Sequence, residues 1–133
     1  MRILSITAQK PHSTGSGVYL TETVRGFKEL GHTQAVIAGV TREDSVKLPE
    51  GVGFYPVYYN SPELPFPVCG MSDEMPYEST RYRYMKPDMV DKFEAAFGSA
   101  VLRVVKEFRP DVVICHHLYL LAAIVREKLQ DMA

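Results

Sequence analysis

Met1-Arg2-Ile3-Leu4-Ser5-Ile6-Thr7 is short, rich in apolar and β-branched residues, and broken off by Gln9-Lys10-Pro11-His12. Such a run reads as an inner strand of a parallel sheet, buried on both faces. Beyond the break, Ser13-Thr14-Gly15-Ser16-Gly17 leads into Val18 to Leu30, where Leu20, Val24, Phe27 and Leu30 recur at helical spacing on one face. Gly31 supplies the left-handed residue of a helix C-cap, and Lys28 in the last turn complements the negative end of the helix dipole. Thr33 to Gly39 reads as a second strand. Strand, loop, helix and strand in this order set the fold class as α/β.

The loop of that unit has a chemical consequence. A glycine-bearing turn from a strand into a helix points several free amides, with the positive end of the helix dipole, at one spot suited to a phosphate or another anion. Glycine lets the ligand approach the backbone. A tight βα turn that binds nothing uses glycine in the same way, so Gly15 and Gly17 alone leave both readings open.

The totals narrow the function classes. A chain of 133 residues makes one domain with a sizeable core. A net charge of -1, with bases scattered among acids, offers no field for nucleic acid. Cys69 and Cys115 stand far apart with no CxxC spacing, which implies neither a zinc site nor a disulfide framework and fits a reduced, cytoplasmic setting. No apolar run reaches the length of about 18 residues that spans a membrane, and the start lacks a signal-peptide core. Peripheral contact with a membrane stays compatible with the sequence.

Outward from the first unit, the polar stretch 40–52 reads as a loop and 53–59 as a third strand, which Pro56 places at a sheet edge. Residues 60–86 are irregular and hold Pro62, Pro65, Pro67 and Pro76, then a run rich in tyrosine and methionine. That composition argues against disorder. It suits either a surface that recognises a polar organic ligand, with Asp73, Tyr77, Arg81 and Tyr82 as candidates, or a structural cover over the sheet edge. Asp88 reads as the cap of a long helix whose Val90, Phe93, Phe97, Val101, Val104, Val105 and Phe108 form one packing face up to Pro110. Asp111 to His117 then reads as a buried parallel strand, and Leu118 to Leu129 as a final helix. Residues 130–133 hold no capping glycine and no following strand, so the expectation is an interrupted architecture.

Right-handed crossovers between these strands predict a Rossmann-like, doubly wound sheet with helices on both faces, whose common strand order is 3-2-1-4. Ligands bind such sheets outside the carboxyl ends of the strands, at the point where the order reverses. The first and fourth strands meet there, which puts the loop of Gly15, Ser16 and Gly17 in one cleft with His116 and His117. Two phosphate motifs do not fit. The dinucleotide fingerprint lacks its third glycine, Leu20 standing in its place, and no acid ends the second strand. No Gly-Lys-Ser/Thr follows the glycines either, which excludes a P-loop.

With these residues in view, nearly the whole chain resembles the N-terminal half of GT-B glycosyltransferases, particularly family 4. The likeness lies in the Met-Arg-Ile-Leu start, Gly15-Ser16-Gly17 followed by Tyr19, the ending Glu29-Leu30-Gly31-His32, and Arg109-Pro110-Asp111-Val112-Val113 running into His116. The resemblance implies that Gly15, Ser16 and Gly17 approach the diphosphate of a nucleotide-sugar donor. It implies a catalytic contact of His116 with the transferred sugar, and His117 as the second candidate. The family's usual His-x-His has Ile114 at its first position here. A carbohydrate or lipid-linked acceptor, no required metal and no cofactor beyond the donor are also implied. So is a C-terminal donor-binding domain, absent from residues 1–133, without which this half is inactive. An epimerase or phosphorylase on the same plan shares these features. A non-catalytic α/β ligand-binding or interaction module is the alternative from another class.

Overall fold

A computed structural model describes residues 1–130, and the expectation for residues 131–133 lies outside them. The elements in chain order are β1 (Arg2–Thr7), α1 (Gly15–Glu29), β2 (Thr33–Val40), β3 (Gly53–Tyr58), β4 (Cys69–Gly70), β5 (Thr80–Arg81), α2 (Pro87–Phe108), β6 (Val112–Cys115) and α3 (Leu121–Leu129), with a 3-10 turn at Tyr82–Tyr84. β1, β2, β3 and β6 form one parallel sheet of order β3-β2-β1-β6, the common doubly wound order. Leu4 lies opposite Ala35 on one side and Val113 on the other. The short pair β4 and β5 is also parallel and stands apart.

Strand periodicity divides the core in two. Ala35 and Ile37 of β2 join Leu4, Ile6, Phe93, Phe97, Val101, Ile124 and Val125 beneath α2 and α3, while Val36 and Ala38 face Leu20 and Val24 of α1. Successive residues of a strand point to opposite faces, so a strand buried on both sides must be apolar throughout. Helices therefore cover both faces of the sheet. The fold is α/β and compatible with a Rossmann-like arrangement.

Residues far apart in sequence lock β6 beside β1. The Arg2 amide donates to Asp111 Oδ2 at 2.7 Å and the Asp111 amide to the Arg2 carbonyl at 2.7 Å. Arg2 Nε also donates to the Phe108 carbonyl at 2.7 Å, with the guanidinium 4.4 Å from the centre of the Phe108 ring. One arginine thus holds the end of α2, the start of β6 and the start of β1 together.

Several boundaries differ from the sequence reading, each for a local reason. α1 begins at Gly15 rather than Val18, because Thr14 caps it. Its face ends at Phe27, and Leu30 is the 72 % exposed C-cap residue. Gly31 has the expected left-handed backbone, with bonds from the Gly31 amide to the Lys28 carbonyl and from His32 to Phe27. α2 starts at Pro87 with Lys86 in the cap position, so Asp88 sits in the first turn and interacts with the dipole instead of capping. Of its predicted face, all but Val90 are buried. β6 stops at Cys115, and α3 starts only at Leu121, leaving Leu118 96 % exposed in the loop between them. Residues 60–70 tuck Leu64, Phe66, Val68 and Cys69 into the core. Both cysteines are free, and burial raises the pKa of each, which keeps the thiols protonated.

Candidate functional site

The carboxyl ends of β1 and β6 run out side by side, tied by the His116 amide donating to the Ile6 carbonyl at 2.9 Å. From β1 the chain turns through residues 8–14 into α1. Thr14 has extended backbone, and its Oγ1 accepts from the Gly17 amide at 3.2 Å. That bond turns Gly15-Ser16-Gly17 into the first helical turn rather than the loop before it. The amides of Gly15 and Ser16, at the first two helical positions, have no carbonyl within the helix to reach. No acidic side chain stands in this turn to neutralise the dipole.

The two glycines serve different ends. A Cβ on Gly17 would lie 2.8 Å from the His12 nitrogen and 2.9 Å from the Lys10 oxygen, so the loop backbone itself fills that side. Gly17 is therefore a packing glycine. A Cβ on Gly15 would meet nothing within 4 Å, so the open approach lies at Gly15.

At the end of β6, the His116 ring stands edge-on to Tyr19 of α1, with centroids 6.1 Å apart. His117 has a left-handed φ of 72°, which turns the chain out of the sheet. Both Nε2 atoms are buried without a hydrogen-bond partner. Burial lowers the pKa of both imidazoles, and the neighbouring His117 lowers that of His116 further. Near the ordinary value of 6.5 the unfolded chain therefore binds more protons than the folded one. Stability then falls as pH drops from about 7 through that value toward the depressed folded-state pKa. The His116→Gln/His117→Gln double variant is expected to show a flatter dependence between about pH 7 and pH 5. Urea midpoints measured across that range check it, and an unchanged slope would mean that solvent, not protein, surrounds the rings.

The structure adds residues that sequence reading passed over. Gln9, read only as a break after β1, is 3 % exposed with its Nε2 unpartnered. Lys10 Nζ pairs with Asp44 Oδ1 at 2.9 Å and lies 4.8 Å from the centre of the Tyr77 ring. Burial pushes the Asp44 carboxyl up, but bonds from the Thr41 amide, Lys10 and the Thr41 hydroxyl outweigh it and hold the group below its usual value. Tyr77 places a buried, unpartnered hydroxyl beside this pair, and burial pushes its pKa up to about 12. The signal for Gln9 was its polarity directly after a buried strand. Nothing local marked Asp44.

Among the described residues five buried side-chain polar atoms lack a partner: Gln9 Nε2, Tyr77 Oη, His116 Nε2, His117 Nε2 and Gln34 Oε1. Gln9 follows β1, Tyr77 lies beside Lys10, His116 and His117 follow β6, and Gln34 stands in β2. Buried polar groups are normally paired with protein or ordered water.

The remaining candidates, Asp73, Arg81 and Tyr82, line a separate cavity of about 360 Å³ with Arg83 and Tyr119. Tyr77 is not among its lining residues. Tyr82 and Tyr119 meet edge to face at 4.8 Å, which joins this cavity to the loop that carries His116 and His117. Three larger cavities, of about 510, 590 and 500 Å³, lie along β6, along β3 and beside α1, and none of the candidate residues lines any of them. His116, His117 and the free amides of α1, not cavity size, single out the mouth of β1 and β6 as the candidate site. Among the described residues no helix is long and apolar enough to cross a membrane. No family model matches the chain, and no curated protein matches it.

Proposed function

We propose that this chain is the acceptor-side half of a two-domain sugar transferase of GT-B architecture, family 4 type, moving a sugar from a nucleotide diphosphate donor to an acceptor hydroxyl. The observation that carries the reading is the placement of His116, which follows β6 and stands 6.1 Å from Tyr19 of α1 between ring centroids, on the helix whose acid-free first turn holds the Gly15 and Ser16 amides. A polyhydroxyl ligand matches such donors and acceptors, whereas an apolar one would leave them unpaired. The half-exposed β6, flanked by a groove along Val113, Val125 and Leu129, supports the view that further chain or a second domain completes this side.

On this reading the Gly15 and Ser16 amides hold the diphosphate and stabilise the charge that grows on it as the glycosidic bond breaks. Gly17 shapes the loop. His116, neutral in its buried setting, orients the sugar by hydrogen bonding, and His117 stands behind it. Turnover needs the second domain, which supplies most of the nucleotide contacts, so this half alone binds weakly and does not react.

Titration of the ¹⁵N-labelled chain with UDP, GDP and ADP tests the reading. The Gly15 and Ser16 amide resonances are expected to shift saturably with one of these nucleotides, and His116 and His117 with the corresponding nucleotide sugar. Silence of Gly15 and Ser16 toward all three nucleotides would overturn the proposal.

A further inference from the structure

We propose that the cavity between β5 and the β6–α3 loop is a recognition site for an anionic group, a phosphate or a carboxylate, carried by the molecule that receives the sugar; only the word "receives" rests on the transferase reading. Arg81 and Arg83, alternate residues on either side of the end of β5, both turn to Asp73. Arg81 donates to the Asp73 carbonyl at 3.1 Å with its Nε 4.0 Å from Oδ1, and Arg83 bonds Oδ2. Two guanidinium groups against one carboxylate leave one positive charge uncompensated at the cavity. Each guanidinium carries five N–H donors, and Asp73 occupies only a few of the ten.

The surroundings hold these cations in place while leaving them reachable. Both guanidiniums lie over the Tyr84 ring, at 5.9 Å for Arg81 and 5.3 Å for Arg83. At these distances each cation is drawn to the ring face by its quadrupole, an attraction that uses none of the guanidinium N–H donors. Those donors suit two-point recognition of a carboxylate or phosphate. Burial raises the pKa of Tyr82, so the aromatic wall contributes no negative charge. Met71 and Tyr119 complete the lining as exposed apolar surface, suited to the uncharged part of the same ligand.

Position gives the site its purpose. Tyr119 lines the cavity and lies two residues beyond His117 on the same loop. An anion held by Arg81 and Arg83 therefore anchors a molecule whose neutral portion extends toward the His116 and His117 cleft.

The test follows the arginine Nε resonances of the intact chain during titration with inorganic phosphate, acetate and glucose at constant ionic strength. Saturable shifts of Arg81 and Arg83 with phosphate, acetate or both, but not glucose, are expected, and which anion binds tighter tells a phosphate ligand from a carboxylate one. Arg81→Gln with Arg83→Gln should weaken binding about tenfold or more, and Asp73→Asn, which removes the competing negative charge, should strengthen it about threefold. Amide spectra of each variant establish that it is folded. Equal shifts with chloride, no saturation, or unchanged affinity in the folded double variant would overturn the proposal. Silence of Gly15 and Ser16 toward nucleotides with intact anion binding at Arg81 and Arg83 would instead sink only the transferase reading.

Discussion

Phe97→Ala is expected to lower stability by roughly 3–5 kcal/mol, the range for removing a fully buried aromatic ring. Phe97 is wholly buried on α2, with Phe93 at 4.6 Å and Tyr59 at 6.0 Å between ring centroids. The lost ring removes transfer free energy and leaves a cavity between helix and sheet that these neighbours fill only in part. Tyr59 makes the loss reach the site, because its hydroxyl donates to the Ala8 carbonyl at 2.9 Å, one residue before Gln9. A shift of the urea midpoint with an unchanged slope measures the effect. Leu102→Ala, at an exposed position of the same helix, serves as the control and should stay within about 0.5 kcal/mol. Equal losses at the two positions would mean that α2 does not pack as described.

Gly39→Ala is the second large effect, roughly 3 kcal/mol, at the upper end for overpacking. A methyl group there would stand 2.5 Å from the Ala8 oxygen and 2.5 Å from Cε2 of Tyr59. One of these is backbone, and the other belongs to a wholly buried ring, so neither moves aside cheaply. The strained point adjoins the loop that carries Gln9 and Lys10. The variant should therefore lose both midpoint stability and the nucleotide-induced shifts at Gly15 and Ser16. Gly15→Ala, with nothing in its way, should keep its stability. If Gly39→Ala were as stable as the parent, the close approach of β2 to Ala8 would be wrong.

Much of the fold was legible because its signals are local. The unbroken apolar run of β1, the spacing of Leu20 and Val24, Gly31 past the helix end and the packing face of α2 each reflect physics that acts within a few residues. The hand of the connections follows a general rule needing no side-chain detail, and the order agrees with the common doubly wound one, Pro56 marking the β3 edge. Boundaries were less legible where two local signals competed. Gly15 to Gly17 reads as a loop by glycine content and as a helix start by the Thr14 cap, and a cap bond outweighs the modest helix penalty of glycine in a first turn.

The site was legible in part. His116 and His117 were placed at the end of a strand adjoining β1, and the α1 amides entered through the glycines. That Gly17 packs against Lys10 to His12 while Gly15 stays open depends on where the loop backbone returns, which no spacing encodes. The grouping of Asp73, Arg81 and Tyr82 around one cavity, with Tyr77 drawn instead to Lys10, depends on β4 pairing with β5 and on Tyr82 meeting Tyr119. Both are contacts between segments distant in sequence.

The sequence by itself determined that this chain is α/β, with its main strands parallel and helices on both faces, and that His116 and His117 follow the last strand. Hydrophobic periodicity and chain chirality suffice for that, while the order β3-β2-β1-β6 matches the commoner of the doubly wound arrangements. Only the tertiary structure decided which polar atoms are left unpaired, which glycine is open, and which side chains face one another. Those outcomes are set by burial and by the meeting of remote segments, and a residue's need for a partner appears only once the rest of the chain has closed around it.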